Sequence, residues 1–353
     1  MLKINLFKVK YLKKINFISV LLFILTGSLI FILTAGSFFL YYFSNTRPLS
    51  SDKQFKISKG ENFTEIVNNL ESQKIISDGF SLKLVAKITG LDKKIYARNY
   101  IFKPGMGNFE ILTMISNPKY IETVRLRVLE GWTIRKISET VENRFGIDKS
   151  EFVKATQNPE LIKKLGLEGK VKNLEGFLFP DTYTLDINSD ANDIVNVLVN
   201  RFIEKIIDDK NFMNEMNAKG MTLLEAVTLG SIIDAETHIK DELEIISGVY
   251  HNRLKKKMRL EADPTVQYVL PDGPKERLLY KDLEINSPYN TYRNFGLPPG
   301  PINNPGLEEI KSAVNPAKHN YIFFVATGDG GHKFSETYDQ HLKAAEEYRK
   351  KLK

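Results

Sequence analysis

The sequence predicts an α+β protein held at its N-terminus by one transmembrane helix. Three observations carry that expectation: an uncharged, mostly apolar run over residues 15–46, a strand–turn–helix pattern that occurs twice, and helical periodicity beyond residue 150 broken by short strand-like runs.

The apolar run comes first. About 20 such residues cross the hydrocarbon core of a bilayer. This one is longer than the h-region of a signal peptide and shows no small-residue cleavage site. Lys3, Lys8, Lys10, Lys13 and Lys14 precede it with no acid between them. By the positive-inside rule they keep the N-terminus in the cytoplasm, while Tyr41, Tyr42 and Phe43 form an aromatic belt at the outer interface. The expected divisions are a cytoplasmic tail (1–14), a single-pass helix (15–43), a Pro- and Ser-containing linker (44–54) and the remainder outside the cytoplasmic membrane.

The repeated pattern follows the linker. Phe55 and Ile57 alternate with lysines, Lys59-Gly60-Glu61 turns, and Phe63, Ile66, Val67 and Leu70 recur at helical spacing. The same design returns 71 residues later, with Leu126 and Val128, Glu130-Gly131-Trp132, then Ile134, Ile137 and Val141. Such units occur in many small α+β domains. The pattern also resembles LysM modules, which bind glycans containing N-acetylglucosamine. Farther on, helices are expected over Phe152–Leu165, Ala191–Met216 and Thr222–Lys257, and strand-like runs over Leu174–Leu185 and Tyr321–Ala326. The Pro-, Gly- and Asn-dense stretch Gly296–Gly306 reads as an ordered turn or extended loop.

Composition narrows the function. The 353 residues contain no cysteine, which excludes disulfides, thiolate nucleophiles and thiolate metal sites. Removing the five N-terminal lysines from the net charge of +7 leaves +2, so the folded body lacks the basic excess of a nucleic-acid binder. The five histidines show no metal-ligand spacing, and no metal or cofactor is expected. Asp186-Asn188-Asp190-Asn192 starts like a calcium loop, but Ala191 and Val197 occupy the positions of its glycine and glutamate. It reads as a turn that caps the next helix. Gly328-Asp329-Gly330-Gly331 joins two strand-like runs and reads as a hairpin turn rather than a phosphate loop.

Carboxylates remain. On a helix over Thr222–Lys240, Leu229, Ile232, Ile233 and Glu236 share one side and Asp234 points roughly opposite. A desolvated Glu236 holds its proton nearer neutrality, as protonation of a glycosidic leaving oxygen requires. The pattern alone fits better a glutamate paired with a lysine or capping a backbone amide, and Leu223, Leu224 and Val227 extend the apolar surface beyond one stripe.

Six ordered motifs bear on that choice: LEGFLFPDTY (Leu174–Tyr183), SIIDAET (Ser231–Thr237), VYHNRL (Val249–Leu254), MRLEADPTVQY (Met258–Tyr268), SPYNTYRNFGLPPGPINNPG (Ser287–Gly306) and AVNPAKHNYIFFVATGDGGHKFSET (Ala313–Thr337). Together they resemble the endolytic murein transglycosylases of the MltG (YceG-like) family, most tightly from about residue 170 and least over 85–120. The resemblance implies a LysM-like subdomain (55–120) and an α+β catalytic domain (121–353). It implies a lyase that cuts the bond between N-acetylmuramic acid and N-acetylglucosamine within nascent peptidoglycan strands and leaves 1,6-anhydro ends, terminating elongation. Glu236 is then the catalytic residue, with Asp234 as a competitor, and Glu175, Asp263, Asn290 and Tyr292 are substrate-groove candidates. Asp263-Pro264 also suits a plain helix start, with Asp as N-cap. Peptidoglycan is the implied partner, with a peptidoglycan synthase beside the anchored enzyme. Two rival readings are a glycan hydrolase, which needs a second carboxylate and water, and a wall-binding membrane scaffold without catalysis.

Overall fold

A computed structural model describes residues 17–44, 49–58, 60–120, 122–271 and 273–351. The basic tail expected over 1–14, residues 45–48 of the expected linker and Lys59 of the first glycine turn lie outside the described residues. The fold mixes helices with two-stranded antiparallel sheets, so the α+β class is correct. The chain divides into two compact units, Met1–Glu122 and Thr123–Lys353.

The first unit opens with α1 (Phe17–Ser44), within which Ser19–Phe39 is apolar and long enough to cross a membrane. Its side chains from Ser19 to Phe39 are exposed, so no protein core accounts for their apolarity. Then come β1 (Lys53–Lys56), α2 (Phe63–Ser72), α3 (Gly79–Thr89), β2 (Asn99–Phe102) and α4 (Asn108–Ser116). Strands β1 and β2 pair antiparallel with Phe55 opposite Tyr100. Asn62 and Glu65 form a reciprocal capping box that starts α2. That start aims Ile66, Val67 and Leu70 at a core shared with Phe55, Tyr100, Phe102 and Leu112.

The second unit begins with β3 (Thr123–Val128), α5 (Ile134–Phe145), α6 (Lys149–Ala155), α7 (Pro159–Lys164) and β4 (Asp181–Asp186). Here β3 pairs antiparallel with β4, Leu126 opposite Tyr183. Both expected strand–turn–helix units are present, and each finds a second strand farther along the chain. The helix expected over 152–165 is two helices, because Asn158 caps a new start with Pro159 in its first turn. Likewise α8 (Ala191–Phe202) runs into a π-helical turn at Ile203–Ile207, and Asp209 caps the separate α9 (Lys210–Ala218). Asp190, from the calcium-like run, caps α8 by accepting from Asp193 N at 2.9 Å. The strand-like run at Leu174–Leu185 is a strand only from Asp181.

The remaining elements build the site. They are α10 (Leu223–Glu236), α11 (Lys240–Lys255), α12 (Asp263–Val269), α13 (Leu307–Val314), β5 (Phe323–Ala326), β6 (His332–Ser335) and α14 (Tyr338–Lys351). Thr222 and Glu225 start α10 with a capping box. Gly230 lets it approach α13 closely, since a Cβ there would lie 3.2 Å from the Ile310 backbone. The helix expected over 222–257 breaks after Glu236, where Thr237 turns extended (φ −148°) and takes Ile239 N on its hydroxyl. A core of Leu229, Ile232, Ile233, Leu243, Ile246, Tyr250 and Ile302 holds these helices together. The loop at Gly296–Gly306 is ordered without being helix or strand, and Gly328–Gly331 is the expected hairpin turn between β5 and β6. In the Gly296–Gly306 loop, the Asn304 amide donates to Trp132 O and Glu175 Oε1 and accepts from the backbone N–H groups of Gly176 and Leu178.

Candidate active site

Glu236 is the last residue of α10 and projects into a pocket of about 250 Å³ lined by Tyr250, Arg253, Leu260, Glu261, Asp263, Tyr292, Phe324 and His341. Glu236 is half-buried, and these side chains surround its carboxyl group. Burial pushes its pKa up to about 7. The Tyr250 hydroxyl, donating to Oε1 at 2.6 Å, opposes that rise, the charge of Asp263 adds to it, and Arg253 subtracts from it. Tyr250 is itself raised well above 10 by burial and by Glu236, so it remains a donor. Among the described residues Tyr250 holds Oε1, and no hydrogen bond engages Oε2.

Arg253 builds the wall. The residue is 7% exposed, and it donates from Nε to Ile322 O (2.7 Å) and from Nη1 to Arg259 O (3.1 Å), Leu260 O (3.0 Å) and Glu261 Oε2 (3.0 Å). Charge-assisted bonds of this kind hold irregular backbone that no ladder supports. The residue after Glu236 is tied down as well. Thr237 Oγ1 donates to Glu242 Oε2 (3.2 Å), and Glu242 also takes the His332 backbone N–H (2.8 Å) and faces His332 Nδ1 at 2.7 Å.

Of the sequence-selected residues, Glu236, Asp263 and Tyr292 come together in this pocket. Tyr292 Oη donates to Asp263 Oδ1 at 2.6 Å. Asp263 does not cap its helix as expected. Ala262 occupies the N-cap position and Asp263 the first turn, which frees the carboxylate for Tyr292. Asn290 is not presented to the pocket. It is fully buried, donates to Leu283 O and Ile285 O, and accepts from Tyr292 N, so it fixes the turn that carries Tyr292.

Glu175 also stands apart from the pocket. It is buried and takes Ile134 N (2.9 Å) and Asn304 Nδ2 (2.9 Å), with its pKa pushed to about 8 by burial against those bonds. Asp234 faces a third environment. Its Oδ2 accepts from Asn303 Nδ2 (2.9 Å), and burial, then repulsion from Glu309 and Glu130, lifts its pKa to about 8. The expected difference in direction from Glu236 holds, but Asp234 is 2% exposed, so desolvation does not separate the two carboxylates. Access separates them, because Asp234 lies under the Asn303 loop and Glu236 opens to a pocket.

Sequence reasoning missed Tyr250, Arg253, Glu261, Phe324 and His341. The first two sit inside the quoted VYHNRL motif, with Tyr250 fourteen residues after Glu236. A larger cavity of about 890 Å³ lies among Met221, His251, Asn252 and His319. Its one carboxylate, Glu225, is committed to the capping box of α10.

A pocket with one carboxyl group near neutrality, a tyrosine fixing one of its oxygens and a second carboxylate nearby can carry out proton transfer to and from a bound alcohol or ether oxygen. Comparisons with known proteins bear on its identity. The chain is similar to the endolytic murein transglycosylase of Bacillus subtilis, 30% identical over 336 residues, covering 90% of this chain and 91% of that protein. It is similar to the endolytic murein transglycosylase of Streptococcus pneumoniae, 26% identical over 331 residues, which is 84% of this chain and 59% of that protein. A 2.6 Å crystal structure of a YceG-like protein from Listeria monocytogenes matches with a TM-score of 0.57 at 31% identity, over 84% of this chain and 99% of that one. The YceG-like family pattern spans residues 55–347, and the chain belongs to that family.

Proposed function

We propose that the chain is a peptidoglycan lytic transglycosylase, a lyase that cleaves the bond from N-acetylmuramic acid to N-acetylglucosamine within glycan strands. The carrying observation is the carboxyl group of Glu236, held near pKa 7 in a solvent-reached pocket with one oxygen bound by Tyr250. Two relatives named endolytic murein transglycosylase supply the reaction class.

In this reading protonated Glu236 gives its proton to the glycosidic oxygen as the bond to the muramoyl C1 breaks. The carboxylate left behind takes the proton of the muramoyl C6 hydroxyl. O6 then bonds to C1 and closes a 1,6-anhydro ring, so no water is consumed. One carboxyl group serves both steps because the first leaves it in the state the second requires. Tyr250 favours the carboxylate that forms between them, and Asp263 favours the protonated form that starts the cycle.

Residues 1–14 would be the cytoplasmic tail, 15–43 a single-pass anchor in the bacterial cytoplasmic membrane and 44–54 a linker. Residues 55–120 would be a LysM-like glycan-binding subdomain and 121–353 the catalytic domain on the outer face. The apolar exposed helix α1 and the helix-covered strand pair β1–β2 support those assignments. Anchoring would confine cutting to strands near the membrane, beside a peptidoglycan synthase, and so terminate elongation.

The hydrolase reading draws support from Asp263, a second carboxylate in the Glu236 pocket that could activate water. Incubation of the full chain with purified peptidoglycan, followed by mass analysis, tests the proposal. Ends carrying 1,6-anhydro-muramic acid support it, and ordinary reducing ends favour the hydrolase.

A further inference from the structure

Beside the Glu236 pocket, the segment leading into α12 runs along the turn that carries Tyr292. Glu261 N donates to Thr291 O (3.3 Å), and Ala262 N donates to Thr291 Oγ1 (3.0 Å). This pairing brings the Arg259 guanidinium over the Phe295 ring, 4.9 Å from its centroid. Arg259 precedes Leu260 in the chain and Phe295 follows Tyr292 by three residues, and Leu260 and Tyr292 line the pocket. Phe295 is 66% exposed, so one ring face carries the cation and the rest is open to solvent. Among the described residues, Arg259 pairs with no carboxylate.

An exposed phenyl ring offers a flat apolar surface to the C–H face of a sugar. A guanidinium stacked on an aromatic ring keeps its N–H groups in their own plane, where they match a carboxylate bidentately. We propose that Phe295 and Arg259 form a subsite for a sugar ring that carries a carboxylate, with the ring on Phe295 and the anion on Arg259. Given the transglycosylase reading, on which this choice of ligand rests, the sugar is a muramoyl residue whose lactyl group or stem peptide supplies the anion.

The test uses the full chain in detergent, with Glu236→Gln as the non-cleaving background, and two probes of equal length. One is a neutral N-acetylglucosamine tetramer and the other an N-acetylglucosamine–N-acetylmuramic acid tetrasaccharide. The muramoyl probe is expected to bind more tightly, and salt to narrow the gap. Adding Phe295→Ala weakens both probes by about tenfold, the scale of one aromatic contact, and Phe295→Trp restores them. Adding Arg259→Gln leaves the neutral probe unchanged and erases the preference. Unchanged binding in the Phe295→Ala chain, or a surviving preference in the Arg259→Gln chain, overturns the subsite. Products of the unmutated chain decide the activity separately. Weakened binding without 1,6-anhydro ends would support the subsite and overturn the lyase.

Discussion

Tyr250 on α11 donates its hydroxyl across 2.6 Å to Oε1 of Glu236 at the end of α10. The bond stabilises the carboxylate and opposes the burial that raises the Glu236 pKa. Tyr250→Phe keeps the ring, which packs edge-on against Phe324 at 6.0 Å, and removes only the donor. The Glu236 pKa then rises beyond about 7. Because the acid form starts the proposed reaction, the alkaline limb of the kcat/KM profile should move to higher pH. Loss of a hydrogen bond to a charged group lowers the optimum rate by about tenfold or more. A pH–rate profile superimposable on the parent's would remove Tyr250 from the mechanism.

Asp263 acts with the opposite sign. Its negative charge helps keep Glu236 protonated, and Tyr292 holds it in place. Asp263→Asn still accepts from the Tyr292 hydroxyl, lowers the Glu236 pKa and moves the alkaline limb to lower pH. As a transglycosylase the variant keeps most of its optimum rate. If Asp263 were instead the base of a hydrolase, the loss would be on the order of 10²–10⁴.

Asp234 is a stability residue in this account. Its folded pKa, about 8, lies above its ordinary value of 3.8 because burial, then Glu309 and Glu130, disfavour the charge. The folded chain therefore keeps a proton that the unfolded chain releases near 3.8. The stability this supplies is complete below that value and is lost as pH rises towards about 8. Asp234→Asn removes the dependence, so its thermal midpoint should fall less between about pH 5 and 8 than the parent's, while strand cleavage stays within a few-fold. Parallel stability curves would contradict the assignment.

The anchor has its own check. A chain starting near Arg47 should stay in solution without detergent, whereas the full chain should sediment with membranes and keep residue 1. A mature N-terminus near residue 45 in cells would mean that the apolar run is removed.

Much of the fold was legible because local rules decided it. The alternation at Phe55 and Ile57 and the spacing of Ile66, Val67 and Leu70 gave a strand and a helix where expected, and the same pattern held at Leu126–Val141. The missed breaks at Asn158-Pro159 and after Glu236 arose because apolar periodicity runs through them. At the first, the cap and proline were visible in the sequence. At the second, nothing before Thr237 marks a stop, and the side-chain bond from the extended residue goes to Glu242, which is itself held by His332 of β6. The site was legible in part for a similar reason. Asp263 and Tyr292 meet Glu236 only through tertiary packing, and the burial of Asp234 depends on Asn303, 69 residues away. Helical position alone could place Glu236 and Asp234 on different sides but could not say which side water reaches.

The central claim is that Glu236 alone supplies the proton and takes one back. Glu236→Gln preserves size and still accepts from Tyr250, but it cannot protonate the leaving oxygen. The decisive measurement is mass analysis of purified peptidoglycan after incubation with the parent chain and with this variant at equal folded concentration. The expected result is 1,6-anhydro-muramic acid ends, inside strands as well as at their termini, from the parent, and a loss on the order of 10²–10⁴ from a folded variant. A Glu236→Gln chain that still makes those ends at the parent's rate would contradict the claim.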